Sequence, residues 1–287
     1  MSRAPTAGER LHAALAAERP LQLVGVINAY AALLAERAGF RAVYLSGAGV
    51  ANYSLGLPDL GMTDLGDVAI DARRITAAVD LPLVVDVDTG WGHAFTIGRV
   101  VRELEQAGVA GIQIEDQVAA KRCGHRPGKE VVEPREMVDR ILAAVAARSD
   151  PAFVVVARTD ADDAVERARA YEEAGADAIF AEAQRSLDDY ARIVEAVSRP
   201  VVANITEFGL TPLFTVEELG RVGVAIVLYP LSAARAAALA SDRIYREVRE
   251  RGTQRDVVGQ MQTRDDLYEV LDYLRYERAL DALRAEE

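Results

Sequence analysis

The chain is poor in the residues that most often announce a mechanism: 287 residues hold one cysteine, three histidines and one tryptophan, with 6% aromatics. One cysteine excludes an internal disulfide and points to a reducing, cytoplasmic setting. The histidines, His12, His93 and His125, are scattered. No His-x-x-x-His or Cys-x-x-Cys spacing occurs, which removes the usual zinc signatures and leaves a Ser-His-Asp triad little to build on. There is no Walker-type loop and no Gly-x-Ser-x-Gly elbow. Gly47-Ala-Gly49 and Gly90-Trp-Gly92 lack the spacing of a dinucleotide fingerprint. Basic charge is also short: the formal net charge of −12 argues against nucleic acid or an anionic membrane as the main partner. No apolar run reaches membrane-spanning length, and the first residues carry no signal-peptide core.

What the chain does have is a core: 51% of its residues are hydrophobic. Short apolar runs, rich in β-branched residues, alternate with helical periodicities. Strands are expected at Leu21–Ile27, Ala42–Ser46, Leu81–Asp88, Ala110–Ile114, Phe153–Ala157, Ala178–Glu182, Pro200–Asn204 and Val224–Leu228. Between them the spacing predicts helices over Ala29–Ala38, Asp67–Val79, Ala94–Ala107 and Asp162–Ala174. Others start near Glu133, Ser186 and Thr215, with a short one at Leu11–Glu18 and a long one from Ser232 to Arg251. Ser46 is expected to lead into a long loop. Strands without in-out alternation are those covered on both faces. Eight of them favour a (β/α)8 TIM-type barrel over an open doubly wound sheet. The expected division is a barrel over residues 1–252 and a C-terminal helical extension over 253–287. From Thr263 to Leu283 the extension carries an apolar stripe too broad for a lone exposed helix. It either folds back on its own barrel or packs on another subunit.

In such a barrel, chemistry gathers at the C-terminal ends of the strands. Those ends read Ser46-Gly47, Asp86 and Asp88, Glu115, Arg158, Glu182, and Asn204 with Thr206. Four carboxylates around one mouth repel unless a cation intervenes. Asp86 and Asp88, two apart, share a face. The set suits Mg²⁺, which takes a few carboxylates along with waters and substrate oxygens. Arg158, Arg122, Arg126, Arg235 and Arg264 are candidate anchors for an anionic substrate. After Glu115 comes a loop in which Cys123 lies among Lys121, Arg122, His125, Arg126 and Lys129. Cations beside a thiol favour its thiolate. The plainer alternative is a solvated basic loop around an incidental cysteine. At residues 116–133 the loop exceeds the roughly 2–6 residues usual for such a connection. With Gly124 and Gly128 as pivots it could serve as a lid.

Lys121-Arg122-Cys123-Gly124-His125 resembles the signature of the isocitrate lyase and phosphoenolpyruvate mutase superfamily, and its Lys-Arg form is similar to the 2-methylisocitrate lyase branch. Further stretches agree along almost the whole chain: Tyr44-Leu-Ser-Gly47, Ser54-Leu-Gly-Leu-Pro-Asp59, Ile114-Glu-Asp-Gln117, Ala157-Arg-Thr-Asp160, Asn204-Ile-Thr-Glu-Phe-Gly209, Leu228-Tyr-Pro-Leu-Ser232 and Met261-Gln-Thr-Arg264. The resemblance implies a homotetramer with C-terminal helices swapped between subunits. It implies Mg²⁺, with Mn²⁺ as an alternative, held by Asp86 and Asp88 with Glu115 nearby. Ser46, Gly47, Ala48, Gly124, His125, Arg158, Glu182, Asn204, Thr206, Arg235 and Arg264 would contact substrate. Cys123 would be the general acid, and Tyr44 is a candidate base. The implied reaction cleaves 2-methylisocitrate to pyruvate and succinate in the methylcitrate route of propionate breakdown. Lyases of 2,3-dimethylmalate or isocitrate are the near alternatives, and a non-catalytic barrel serving as an assembly module the distant one. The chain departs from the family pattern at Ala48 (a glycine of Ser-Gly-Gly-Gly), at Gln113 (a histidine) and at Ala181 (a proline).

Overall fold

The computed structural model describes residues 3–285. Its eight strands are β1 (Leu21–Gly25), β2 (Ala42–Leu45), β3 (Leu83–Asp86), β4 (Gly111–Glu115), β5 (Val154–Thr159), β6 (Ala178–Ala181), β7 (Val201–Asn204) and β8 (Ile226–Tyr229). They pair in sequence order, all parallel, and β8 returns to β1, so the barrel is closed. This is the (β/α)8 fold expected from the alternation of apolar runs and helical periodicities. Both faces of each strand are apolar because each has a partner. Leu23, Tyr44, Val84, Val156, Phe180, Val202 and Leu228 point into the barrel interior. Their neighbours Val43, Leu45, Val85, Ile112, Val155, Ile179 and Val227 pack outward against the helices.

The helices are α1 (Ala7–Ala17), α2 (Ala29–Arg37), α3 (Gly47–Gly49), α4 (Leu65–Ala78), α5 (Ala94–Gln106), α6 (Pro134–Ala147), α7 (Ala164–Glu173), α8 (Leu187–Ala196), α9 (Val216–Arg221), α10 (Ser232–Arg251), α11 (Arg264–Val270) and α12 (Tyr273–Ala285). Local chemistry sets their starts. Pro134 occupies the first turn of α6, where its missing N–H costs nothing. Ser186 caps α8, and Thr215 forms a reciprocal capping box with Glu218. Helix α1 starts a full turn before the expected Leu11, because Thr6 and Glu9 close a capping box ahead of the first apolar residue. Where a loop was expected after Ser46, the chain forms α3 and a π-helical turn, Val50–Ser54, anchored by Ser54 Oγ donating to Asp71 at 2.6 Å.

Leu11 and Ala14 of α1 join Leu21 and Leu23 in the interior cluster, so α1 stops the lower end of the barrel. The strand carboxyl ends are left for function. Register sets their levels: Asp86 lies opposite Gln113, and Glu115 opposite Arg158.

The chain packs as two units, Met1–Ala234 with the whole barrel, and Arg235–Glu287. In the second, Asp272 adopts a left-handed backbone (φ 50°) that separates α11 from α12. There the Tyr268 and Tyr273 rings stack with centroids 4.2 Å apart. Leu274, Tyr276, Leu280 and Leu283 are exposed. Among the described residues, no helix is long and apolar enough to cross a membrane.

Candidate active site

The strand ends after β2, β3 and β4 make an acidic half-site. The Gly47 N–H donates to Asp86 Oδ2 at 3.0 Å, and the Asp88 N–H to Asp86 Oδ1 at 3.0 Å. Ser46 caps the turn that presents Gly47, its hydroxyl accepting from Gly49 N–H at 3.3 Å, and Ala48 is half-buried in the same turn. A side chain at 47 would displace the two aspartates: a Cβ there would lie 2.8 Å from Asp88 Oδ1 and 3.2 Å from Asp86 Oδ2. Asp88 itself takes a left-handed backbone (φ 50°), tolerable for aspartate. Thr63 donates to its Oδ2 at 3.3 Å, and Lys121 Nζ reaches its Oδ1 at 2.5 Å and Asp59 at 2.8 Å. Burial pushes the Asp88 carboxyl up to about 6, against the pull of Lys121.

Glu115 completes this half. It is 1% exposed, and among the described residues neither carboxylate oxygen accepts a hydrogen bond; Arg158 Nε lies 3.4 Å from Oε2. Burial pushes the acid up to about 8, opposed by Arg158 and Lys121. Buried oxygens with nothing to accept are costly unless something outside the protein satisfies them. Among the described residues, no three His, Cys, Asp or Glu side chains form a metal cage of their own. A Mg²⁺ ion needs none, since one or two carboxylates with waters and substrate oxygens suffice.

The other half is cationic at its centre. Arg158, at the end of β5, donates to Asp160 twice, at 2.8 and 3.1 Å, and its Nη2 lies 3.0 Å from Glu182 Oε2. Its guanidinium also lies 5.1 Å from the centroid of Phe180. Asn204 Nδ2 donates to both oxygens of Glu182 at 3.2 Å. Thr206 is buried just beyond. Burial alone would raise the Glu182 carboxyl, but Arg158 and the His125 hydrogen bond bring it down to about 2.

The thiol loop closes over this half. Its stem is paired: Gln117 bridges Val131, Val118 N–H donates to Glu130 at 3.0 Å, and Gln117 exchanges two 2.9 Å bonds with the Arg122 backbone. Its far side is fixed by His125. The ring accepts from Leu210 N–H at Nδ1 (3.0 Å), which leaves Nε2 to carry the proton toward Glu182 Oε1 (3.1 Å). Between stem and imidazole, Gly124 sits hard on the charged cluster. A Cβ there would be 2.4 Å from Asp160 Oδ1 and 2.5 Å from Arg158 Nη2. Cys123, its neighbour, is partly exposed.

The structure thus gathers Ser46, Gly47, Asp86, Asp88, Glu115, Gly124, His125, Arg158, Glu182 and Asn204 around one mouth. Tyr44 lies one layer deeper, its hydroxyl donating to Gln113 Oε1 at 2.6 Å. Burial and the nearby Asp86 carboxylate push it well above the usual phenol range. It is a committed donor, which opposes a role as proton acceptor. Arg235 lies in α10 and Arg264 opens α11, both in the second unit. Residues that sequence reasoning left out of the site are Asp160, Lys121 and Asp59. Asp160 had a usable signal, two positions past Arg158 and therefore on its face. The adjacent acids Glu115 and Asp116 play different parts. Asp116 accepts from Thr159 Oγ1 (2.7 Å), Asp160 N–H (2.9 Å), Tyr171 hydroxyl (2.8 Å) and Arg167 (3.2 Å), and so ties β5 and α7 together behind the mouth.

Comparison with known proteins agrees with this geometry. Residues 11–249 match the family described as phosphoenolpyruvate phosphomutase. The chain is 55% identical to a 2-methylisocitrate lyase of Shewanella oneidensis over 98% of its own length and 99% of that protein's. Among solved structures, it superposes on a 2,3-dimethylmalate lyase with a TM-score of 0.89 at 32% identity, covering 98% of this chain and 96% of that one. A phosphonopyruvate hydrolase in complex with oxalate and Mg²⁺ gives 0.84 at 32% identity, over 97% of this chain and 99% of the other. With its closed barrel, its acid-lined mouth and its thiol loop, the chain belongs to the phosphoenolpyruvate mutase and isocitrate lyase superfamily, as a carbon–carbon lyase of the 2-methylisocitrate lyase branch.

Proposed function

We propose that the protein cleaves 2-methylisocitrate to pyruvate and succinate, by Mg²⁺-dependent retro-aldol chemistry, in the breakdown of propionate. The observation that carries this reading is the seat of Gly124. It sets the backbone of the only cysteine-bearing loop on Arg158, Asp160 and Glu182, across the mouth from Asp86, Asp88 and Glu115. A donor set made only of carboxylate oxygens, two of them on Glu115 accepting nothing, suits a hard divalent cation, Mg²⁺ or Mn²⁺. Asp86, Asp88 and Glu115 would hold it. When bound, it would supply Lewis-acid stabilisation to the hydroxycarboxylate half of the substrate.

The remaining work falls to the chain's own groups. Arg158, Asn204 and Thr206 hold the carboxylates of the succinate half, where charge grows as the carbon–carbon bond breaks. Ser46, Gly47 and Ala48 line the turn against the other half. Cys123 gives its proton to the carbon released from the cleaved bond, as general acid. Gly124 and His125 keep the loop low enough for that transfer and shut water out. Arg235 and Arg264 are further proposed contacts to substrate carboxylates. A homotetramer with exchanged C-terminal helices would cover the exposed Leu274, Tyr276, Leu280 and Leu283. The single cysteine suits a cytoplasmic setting.

The deciding experiment offers purified protein and Mg²⁺ each of 2-methylisocitrate, 2,3-dimethylmalate and isocitrate, and follows the carbonyl product. Fastest turnover of 2-methylisocitrate is expected. Preference for dimethylmalate would move the protein to its structural neighbour's substrate, and turnover of none would end the proposal. Cys123→Ser should abolish turnover and leave substrate binding measurable by calorimetry.

A further inference from the structure

Beneath the site, inside the barrel, lies a cavity of about 220 Å³ that the reaction does not use. Its walls are the inward side chains Leu23, Val84, Val156, Val202 and Leu228, with Leu11 of α1 below. An apolar cavity of roughly 150 Å³ stays dry and accepts benzene, so this one has room for a molecule of that size or somewhat larger. Its ceiling is polar in one place. Gln113 is 1% exposed; its Oε1 takes the Tyr44 hydroxyl, and its Nε2 is a buried donor with no partner among the described residues. A water there would need two or more polar partners; among the lining residues the ceiling offers only this N–H and the Tyr44 hydroxyl, already committed to Gln113 Oε1, while His12, Asp177 and Arg199 line the lower end. The one arginine that lines the cavity, Arg199, precedes β7 at the lower end, so a carboxylate placed at the Gln113 N–H would be desolvated without a compensating charge. At the lower end, Leu15, Arg199 and Pro200 border both the cavity and a surface groove, which gives a route in.

We propose that this cavity is a binding site for a small, mostly apolar molecule bearing one uncharged hydrogen-bond acceptor, a ketone or ether, whose oxygen takes the free N–H of Gln113. The site is separate from the substrate mouth, and its ligand approaches from the opposite end of the barrel, past α1.

Cyclohexanone and benzene serve as probes, titrated into the full-length protein by calorimetry. Saturable one-to-one binding of both is expected. Ala178→Leu projects into the cavity and should weaken both at least tenfold; Val202→Phe is the second filling variant, should the first fail to give a native near-UV spectrum. Gln113→Met keeps the volume and removes the donor. It should weaken cyclohexanone by about fivefold to tenfold, the worth of one hydrogen bond, and leave benzene unchanged. No saturable binding, or binding indifferent to both filling variants, overturns the site. Equal loss of the two probes in Gln113→Met overturns the assigned donor.

Discussion

His125 and Glu182 meet across the mouth with Nε2 and Oε1 3.1 Å apart, and this pair, with Leu210 on the other ring nitrogen, is what fastens the thiol loop. Replacing the ring by alanine leaves the stem intact but frees the tip. His125→Ala is therefore expected to lower kcat about 100-fold, the cost of a small misplacement at a reacting centre. Faster tryptic cleavage after Arg122 and Lys129 should accompany the loss. Normal turnover in a loop shown to be open would remove the fastening role.

Gly124 gives a steric version of the same test. A methyl group at 124 would fall 2.4–2.5 Å from Asp160, Arg158 and Glu182. Gly124→Ala should abolish turnover while the thermal unfolding midpoint moves little, since the loop lies over the barrel and not in its core. A large fall in Tm with activity retained would contradict this.

Asp116 makes a stability prediction. Four donors converge on one fully buried carboxylate. Breaking a buried charged network by removing one partner costs about 3–5 kcal/mol. Asp116→Ala should lose about that much in urea unfolding, and Tyr171→Phe, which removes one neutral donor, about 1 kcal/mol. Equal effects from the two would show that the network is not centred on the acid.

Glu182 sets a pH window. Its folded carboxyl lies at about 2, below an ordinary glutamate near 4.5. A depressed acid stabilises the fold above its unfolded value and loses that contribution as pH falls toward the folded one. The contribution is on the order of 3 kcal/mol. Unfolding free energies of wild type and Glu182→Gln, measured from pH 7 down to pH 2, should run parallel above about pH 5 and converge below it. Curves parallel throughout would mean that the acid is not held ionised by Arg158 and His125.

Much of this was legible beforehand because it depends on short-range pattern. Apolar runs such as Leu83–Asp86 and Val201–Asn204 mark buried parallel strands, and the last polar residue of each marks the mouth. The capping residues Ser186 and Thr215 fixed helix starts for the same reason. What escaped depends on distance. Nothing local says that Leu210 would meet a ring 85 residues earlier, or that Lys121 would reach Asp88 and Asp59. Nor can adjacent acids be sorted without knowing what lies behind them: Glu115 looks into the mouth, while Asp116 meets Arg167 and Tyr171 from α7. The turn at Val50–Ser54 was missed because its order comes from Asp71, on another helix.

That sorting has a practical side. The peptide linking Glu115 to Asp116 joins the reacting cleft to the outer helical shell in a single step. Selections for altered substrate choice should therefore enrich changes on the inward face of α7, at Arg167 and Tyr171, as well as among residues that could touch substrate. An engineer who randomises only the cleft would overlook a lever that sits behind its wall.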